Sequence, residues 1–499
     1  MTKRFFLDQH GCAKNQVDGE LLIGILIRMG WSKTVEPETA DLIIVNSCGF
    51  IEPAKRESIE AVIAARAAYP KARILLAGCL AERYGEIFKT EFEEADAFFG
   101  NGDLFMLPDL IERMFPQEPP VKPEPSFKKQ RPAPLVGKHY AAFSSGGARP
   151  FLKPAQKGVC CGPRPEVLNF PRSAFIKITE GCDNCCSFCA IPLIRGSARS
   201  RPIEAIVAEI RDFVRQDYKE FNLIGQDLAV YEASPVLCPE LSGLAQLLKA
   251  ISTIEGRFSV RLLYIHPDHF PLDILPIMTA DTRFLPYFDI PFQSGSASVL
   301  QAMNRCGSAE VYLRLVENIR TAFREAESPY GEAVIRTTFL TGFPGETQEH
   351  FDQTTAFLQE VRSLWAGAFT YSQEEGTKAA GMKRKVPAKI AEQRKRILQE
   401  LQLGITEKKL AVFCGQKLQV LIEEVIPHAK RDNDKQEAAD ECRIALGRAW
   451  FQAPDVDGVI VVNFSDLQKD SEGNPITAGS LVQVRITALR GIDLEADAL

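Results

Sequence analysis

Glu180-Gly181-Cys182-Asp183-Asn184-Cys185-Cys186-Ser187-Phe188-Cys189-Ala190-Ile191-Pro192 follows the apolar run Phe175–Ile178 and decides how this 499-residue chain is read. Cys182, Cys186 and Cys189 have the spacing C-x3-C-x2-C. Three thiolates so placed suit a cubic iron–sulfur cluster in which the protein ligates three irons and leaves the fourth open to a small molecule. Zinc is the alternative, because Cys182 with Cys185 and Cys186 with Cys189 form two C-x-x-C pairs, the donor set of a closed four-thiolate site. Against zinc, Cys185 and Cys186 are neighbours whose side chains do not easily reach one metal, and zinc sites place a longer loop between the pairs. Cys185 then becomes a bystander. The blandest reading is a set of cysteines that merely pack.

Around the triplet, short apolar runs alternate with helical patterns. Strands are predicted at Phe175–Ile178, Glu220–Ile224, Ser259–Tyr264, Phe288–Ile290, Val334–Phe339 and Trp365–Thr370. Helices are predicted at Ile203–Asp217, Leu241–Ile254, Ala309–Glu325 and Thr347–Glu360, and Lys389–Leu410 reads as a long charged closing helix. Repeated βα units of this length predict a partial (β/α) barrel over residues 173–411, with its chemistry at the carboxyl ends of the strands. The triplet follows the first strand and so belongs at that mouth.

The segment 1–115 alternates in the same way and reads as a small parallel α/β domain. Its strands are expected at Arg4–Asp8, Leu42–Asn46, Ile74–Ala77 and Ala97–Phe99, and its helices at Val17–Met29 and Ser58–Ala68. Cys12, Cys48 and Cys79 each follow one of the first three strands, which puts all three at one carboxyl edge, the usual ligand crevice. Small buried residues at strand ends are the alternative. Beside the first triplet, a second open-iron cluster is the better reading. Residues 116–172, with a proline run from Pro116 to Pro134 and Ser144-Ser145-Gly146-Gly147, read as a linker or insertion with too little apolar content to fold alone. Cys160 and Cys161 within it read as unused thiols. Residues 412–491 change to short strands with turns, at Lys417–Glu423, Ile444–Trp450, Val459–Asn463 and Leu481–Ala488, as in a small antiparallel β-barrel.

The bulk numbers narrow the class. A net charge of -6 gives no support to a surface that coats nucleic acid. The basic start Met1–Arg4 is broken by Asp8 and His10 before a signal-peptide core forms, and Leu21–Ile27 is too short to cross a membrane. A cytoplasmic protein with reduced thiols is expected, and thirteen cysteines there point to metal or catalytic use.

C-x3-C-x2-C on the loop after the first strand of a partial barrel, with Phe188 before the last cysteine, resembles the radical S-adenosylmethionine enzymes. With Cys12, Cys48 and Cys79, and with Asn15 and Asp18-Gly19-Glu20 after Cys12, the chain resembles one subgroup, the radical methylthiotransferases. The likeness covers nearly the whole sequence. It implies two 4Fe-4S clusters, S-adenosyl-L-methionine as cofactor, and a C-terminal substrate-recognition barrel of the TRAM type. The free iron of the Cys182/Cys186/Cys189 cluster would chelate S-adenosylmethionine, whose cleavage gives a 5'-deoxyadenosyl radical. The other cluster would hold the sulfur. The same resemblance assigns the cofactor to Phe188, to Gly225 and Gln226 of Gly225-Gln226-Asp227, to Gln293, to Arg305 and to Phe343 of Gly342-Phe343-Pro344-Gly345-Glu346. Each of these also reads as an ordinary turn or helix start. The implied partners are a reductant such as flavodoxin or ferredoxin, a sulfur donor that the sequence does not name, and a substrate met by a monomer without a membrane.

Two branches of the family differ in substrate. One modifies the β-carbon of an aspartate in ribosomal protein S-twelve, and the other an adenosine in transfer RNA. Arg336-Thr337-Thr338-Phe339, Tyr371-Ser372-Gln373-Glu374-Glu375-Gly376-Thr377 and Ala453-Pro454-Asp455-Val456-Asp457-Gly458-Val459 resemble the ribosomal branch. Twelve acidic and nine basic residues between Val412 and Gly491, a balance of -3, agree, because an RNA-gripping barrel should be basic. Gln293-Ser294-Gly295-Ser296 departs toward the transfer RNA branch. The ribosomal protein is the expected substrate, and the transfer RNA adenosine the alternative.

Overall fold

Strands that are apolar along most of their length are buried on both faces, and the centre of the first sheet is built from them. The computed structural model describes residues 2–116, 149–156, 158–234, 236–427 and 443–499. They form two compact units, Met1–Pro165 and Glu166–Leu499.

In the first unit, strands β1 (Arg4–Gln9), β2 (Ser32–Lys33), β3 (Leu42–Ser47), β4 (Arg73–Gly78), β5 (Ala97–Phe99) and β6 (Phe151–Leu152) make a parallel sheet in the order β2-β1-β3-β4-β5-β6. Helices α1 (Ala13–Arg28), α2 (Glu52–Ala68), α3 (Cys79–Glu91) and α4 (Leu107–Met114) connect and cover it. Helix α1 stops at Gly30, whose φ of +85° takes the left-handed conformation that glycine tolerates. Helix α1 also buries Glu20, which is ion-paired with the equally buried Arg164 at 2.6 Å. Arg164 and strand β6 lie in the segment read as a linker. Phe151 packs on the α3 side of the sheet, where a Cβ on Gly85 would strike its ring. The compositional argument missed this because two residues of edge strand and one buried arginine leave no periodic signal. The Pro- and Gly-rich stretch from Pro119 to Gly147 lies outside the described residues.

In the second unit, β7 (Ser173–Lys177) leads to a short antiparallel pair, β8 (Thr179–Glu180) and β9 (Arg199–Ser200). Then follow β10 (Glu220–Ile224), β11 (Ser259–Leu262), β12 (Phe284–Asp289), β13 (Val334–Thr341) and β14 (Trp365–Thr370). Six parallel strands run in the order β14-β13-β12-β11-β10-β7, an open sequential sheet, as a partial barrel requires. Between them lie α5 (Ile191–Arg195), α6 (Ile203–Arg215), α7 (Gly243–Ser252), α8 (Leu275–Ala280), α9 (Ala297–Ala302), α10 (Ala309–Glu325), α11 (Gln348–Val361) and the closing α12 (Ala388–Leu410). Ser242 and Ser308 cap α7 and α10, and Thr347 with His350 forms a capping box on α11.

Alternation along the strands sorts the faces. Ile176, Phe221, Leu223, Val260, Leu262 and Ile335 pack with the helices in one core. The opposite face carries buried Lys177, Asn222, Arg261, Tyr287, Asp289 and Arg336-side polar groups. The C-terminal strands β15 (Lys417–Ile426), β16 (Arg443–Arg448), β17 (Ile460–Phe464), β18 (Leu481–Arg490) and β19 (Asp493–Ala498) close a barrel in the order β15-β16-β17-β19-β18. Its pairs are antiparallel except β17 with β19. The last strand lies beyond residue 491, where Asp493-Leu494-Glu495-Ala496-Asp497-Ala498 carries small and acidic residues with low strand preference.

Candidate active site

The loop after β8 is tied down at several points. Gly181 has φ +78°, and a Cβ there would strike the Gly196 and Ser197 carbonyls, so the chain enters the loop through glycine. The Cys182 N–H donates to the Gly196 carbonyl at 3.0 Å, and the Cys189 N–H to the Cys186 carbonyl at 3.0 Å. The Ser187 N–H donates to the Met303 carbonyl at 3.0 Å, and its Oγ to the Ala302 carbonyl at 2.8 Å. Cys182, Cys186 and Cys189 are free and half-buried. Burial pushes the Cys182 thiol up to about 11, and the Cys186 charge adds to the rise. Burial pushes the Cys189 thiol up to about 12, with Cys186 and Cys182 again adding. The three sulfurs thus feel one another. Cys185 differs: it is exposed, at φ +51°. Among the described residues no three Cys, His, Asp or Glu side chains converge as around a single ion. A cubic cluster takes one thiolate per iron and needs no such convergence, so the donor set fits it better than zinc. Cys185→Ser is therefore expected to keep the wild-type iron content, and iron loss in that variant, measured by elemental analysis, would restore the four-thiolate reading.

Most of the residues assigned to the cofactor lie against this loop. Gly225 follows β10 where a Cβ would strike Thr179 Oγ1. Gln226 Nε2 donates to Glu180 Oε1 at 3.2 Å, while its own amide oxygen is buried without a hydrogen-bond partner. Arg305 is buried, donates to the Pro291 carbonyl at 2.6 Å and leaves Nε without a hydrogen bond. Its charge reaches Cys189, whose thiol it lowers. Phe188 and Phe343 share a small apolar cluster with Val299, Met303 and Ala379. Gln293 is held differently: at φ +70° it bridges to β13 through the Thr338 carbonyl at 2.8 Å and the Leu340 N–H at 2.9 Å. Sequence reasoning missed the buried Glu180, which is paired with Lys177 at 2.7 Å and Arg195 at 2.9 Å. Burial raises that carboxyl, but Arg195 and Lys177 outweigh it and hold it down at about 2. It also missed His266, although its place after a strand end was a usable signal, and it gave Asp227 no role of its own within Gly225-Gln226-Asp227.

In the first unit, Cys12 is the N-cap of α1, Cys48 directly follows β3, and Cys79 opens α3 after β4. The strands β1, β3 and β4 are adjacent, so the three cysteines share one sheet edge. Their loops touch. A Cβ on Gly11 would lie 3.2 Å from Cys48 Cβ, and one on Gly49 would lie 2.7 Å from the Cys79 carbonyl oxygen. Asn15 Nδ2 joins the first two loops through the His10, Asn46 and Ser47 carbonyls at 2.7, 3.1 and 3.3 Å. Asn101 Nδ2 donates to Cys79 Sγ at 3.5 Å. Two of the cysteines sit at helix N-termini, where the backbone favours a thiolate. His10, with Asp8 3.1 Å from Nε2 and Glu57 hydrogen-bonded to Nδ1 at 3.0 Å, is raised to about 9 by Asp8 first and then Glu57, despite its burial.

Three family models match the chain: the uncharacterized protein family UPF0004 over residues 4–100, the Radical SAM superfamily over residues 176–358 and the TRAM domain over residues 414–499. The chain is 56% identical to the ribosomal protein uS12 methylthiotransferase RimO of Treponema denticola, over 99% of this chain and 100% of that protein. The chain belongs to the RimO family. The RimO protein of Aquifex aeolicus is 36% identical, over 97% of this chain and 94% of its own length. Among solved structures, the radical S-adenosylmethionine methyltransferase TsrM of Kitasatospora setae aligns with a TM-score of 0.48 and 14% identity, over 74% of this chain and 72% of that one.

Two of the stretches that resemble the ribosomal branch of the methylthiotransferases, the RimO family, meet inside the second unit. Arg336 lies 3.2 Å from Asp289 and 3.4 Å from Asp457. Asp457 also accepts the Tyr287 hydroxyl at 2.6 Å and the Ala453 N–H at 2.8 Å. Here these residues join the closed barrel to the open sheet. In the third stretch, Glu374 is buried and accepts the Ser372 hydroxyl at 2.7 Å, so one of its two acids serves the loop itself. The departing Ser294-Gly295 pair packs on α11, where a Cβ on Gly295 would lie 2.5 Å from Phe357 Cβ. Five of the twelve acids and three of the nine bases counted in the C-terminal barrel fall in residues 428–442, outside the described residues. The rest are nearly balanced, and Asp457 among them is buried, so charge contributes little to the choice of substrate.

Proposed function

We propose that this chain methylthiolates the β-carbon of an aspartate in ribosomal protein uS12, with two 4Fe-4S clusters and S-adenosyl-L-methionine. The observation that carries the reading is the 56% identity over the full length of a uS12 methylthiotransferase. Two cysteine triplets, each at the carboxyl ends of a parallel sheet, support it. When bound, the groups supply a radical that takes hydrogen from an unactivated carbon, and the sulfur and methyl that replace it.

Cys182, Cys186 and Cys189 would ligate the radical cluster, and Cys12, Cys48 and Cys79 the auxiliary one. Gly225 allows close backbone approach at the end of β10. The unpartnered amide oxygen of Gln226 suits an ammonium group, and the unpartnered Arg305 Nε–H a carboxylate. Phe188 and Phe343 give an apolar wall that keeps water from the mouth. Gln293, presented by a strained backbone, would meet a polar group of the cofactor. Residues 1–165, 173–411 and 412–499 would divide the work into sulfur supply, radical chemistry and substrate recognition. A monomer working in the cytoplasm with a flavodoxin or ferredoxin completes the reading. Among the described residues no helix is long and apolar enough to cross a membrane.

Mass spectrometry of uS12 from cells lacking this gene is the test. The expected result is loss of the mass that a methylthio group adds in place of hydrogen. An unchanged uS12 together with a missing methylthioadenosine in transfer RNA would transfer the chain to the other branch.

A further inference from the structure

His266 stands just beyond β11, with Nε2 4.0 Å from Cys186 Sγ. Its ring orientation is determined from the other side. Nδ1 accepts the Asp268 backbone N–H at 3.2 Å. A ring nitrogen that accepts a hydrogen bond carries no proton, so the proton sits on Nε2 and faces the sulfur. The ring is buried, with 7% of the residue exposed, and stacks on His269 with centroids 5.3 Å apart.

The backbone is braced to the cysteine loop as well. Asp227 Oδ1 accepts the His266 N–H at 3.0 Å, and Asp227 Oδ2 accepts Asn184 Nδ2 at 2.7 Å. Asn184 lies between Cys182 and Cys186, so one carboxylate fixes the distance between histidine and loop. Farther out, Asp268 accepts the Tyr312 hydroxyl at 2.7 Å and the Cys306 N–H at 2.8 Å, which holds the turn from its outer side. The Asp268 N–H sets the ring and the Asp227 carboxylate holds its backbone, so two independent contacts aim the ring proton at the thiol, which a ring that only filled space would not need.

We infer that His266 donates an N–H···S hydrogen bond to the Cys186 thiolate of the bound cluster and so sets how readily that cluster accepts an electron. The inference rests on the cluster assignment of the proposed function. A cluster that gains an electron gains negative charge on its sulfurs, and a donor aimed at one of them stabilises the reduced form more than the oxidised one. His266 is in this sense a positioning residue. It touches a ligand of the cluster, not the substrate.

The test isolates one cluster by working in a chain carrying Cys12→Ala, Cys48→Ala and Cys79→Ala. Potentiometric titration followed by electron paramagnetic resonance then compares His266 with His266→Phe, which has no N–H, and with His266→Gln, whose amide nitrogen reaches a similar place. At a fixed potential, the reduced-to-oxidised ratio is expected to fall about tenfold in the phenylalanine variant, as for loss of one hydrogen bond to a charged group. That is a potential lower by roughly 59 mV for one electron. The glutamine variant should stay near the parent. Equal potentials in all three proteins, or an equal drop in both variants, would overturn the inference. Loss of iron from either variant would overturn it too, by assigning the ring to holding the cluster. If the parent itself binds no cluster, the underlying reading fails first.

Discussion

Replacing any one of Cys182, Cys186 or Cys189 by alanine is expected to abolish 5'-deoxyadenosine formation and to leave about half of the bound iron, since one of two equal clusters is lost. Two ligands cannot hold a cluster that has three protein ligands and one open iron. Replacing Cys12, Cys48 or Cys79 should also leave about half of the iron, but 5'-deoxyadenosine should still form. Methylthiolated uS12 should then be absent. The two sets are separable because each triplet is held by its own unit, Cys12, Cys48 and Cys79 at the ends of β1, β3 and β4, and Cys182, Cys186 and Cys189 in the loop after β8. Iron analysis and chromatography of 5'-deoxyadenosine check both halves. Cleavage lost from both sets would mean that the two clusters are not independent.

Arg448→Met is expected to destabilise the second unit by about 3–5 kcal/mol, the cost of breaking a buried ion pair from one side. Arg448 Nη2 lies 2.8 Å from Glu220 Oε2, and its Nε–H donates to Glu423. Glu220 further accepts from Arg261, from Ser173 Oγ at 2.7 Å and from Asn222 Nδ2 at 3.2 Å. Arg261 in turn donates to the Trp450 carbonyl at 3.0 Å, and Trp365 Nε1 to the Phe451 carbonyl at 2.6 Å. Burial raises the Glu220 carboxyl, but Arg261 and Arg448 overcome it and hold the group well below the usual carboxylate range. The loss of Arg448 leaves Glu423, half-buried beside it, without its cation. Adding Glu423→Gln should therefore recover part of the stability, as coupled neighbours do. Two of the three tryptophans, Trp365 and Trp450, lie at this seam. Urea unfolding followed by their fluorescence, in a Trp31→Phe background, reads the effect. A transition displaced by less than about 1 kcal/mol would mean that water reaches the seam and screens the pair.

The strand–helix alternation was legible because it rests on local patterns. Ala97–Phe99 and Trp365–Thr370 are strands within the limits that their apolar runs set. Lys389–Leu410 is a helix that begins one residue earlier, after Pro387. The polar face of the open sheet was harder to interpret. Alternation such as Glu220-Phe221-Asn222-Leu223 ordinarily marks a strand with one wet face. Here that face is buried, and a partner some 230 residues later, Arg448, neutralises it. No window of sequence contains both ends of that pair.

Much the same holds at the candidate site. Cys182, Cys186 and Cys189 are close in sequence, so their spacing pointed to an open-iron cluster, and the family resemblance implied the radical chemistry. Cys12, Cys48 and Cys79 could be joined in advance only because parallel strands put their carboxyl ends on one edge, a rule of topology that needs no coordinates. What the tertiary structure alone decided is orientation: that Cys185 is turned to solvent, that Arg305 is buried against the Pro291 carbonyl, that His266 Nε2 faces Cys186 Sγ, and that Asp457 meets Arg336. Spacing determines which groups can share a site, because chain geometry limits reach. Direction, burial and hydrogen-bond partners depend on residues brought from distant segments, and these exist only once the sheets have formed.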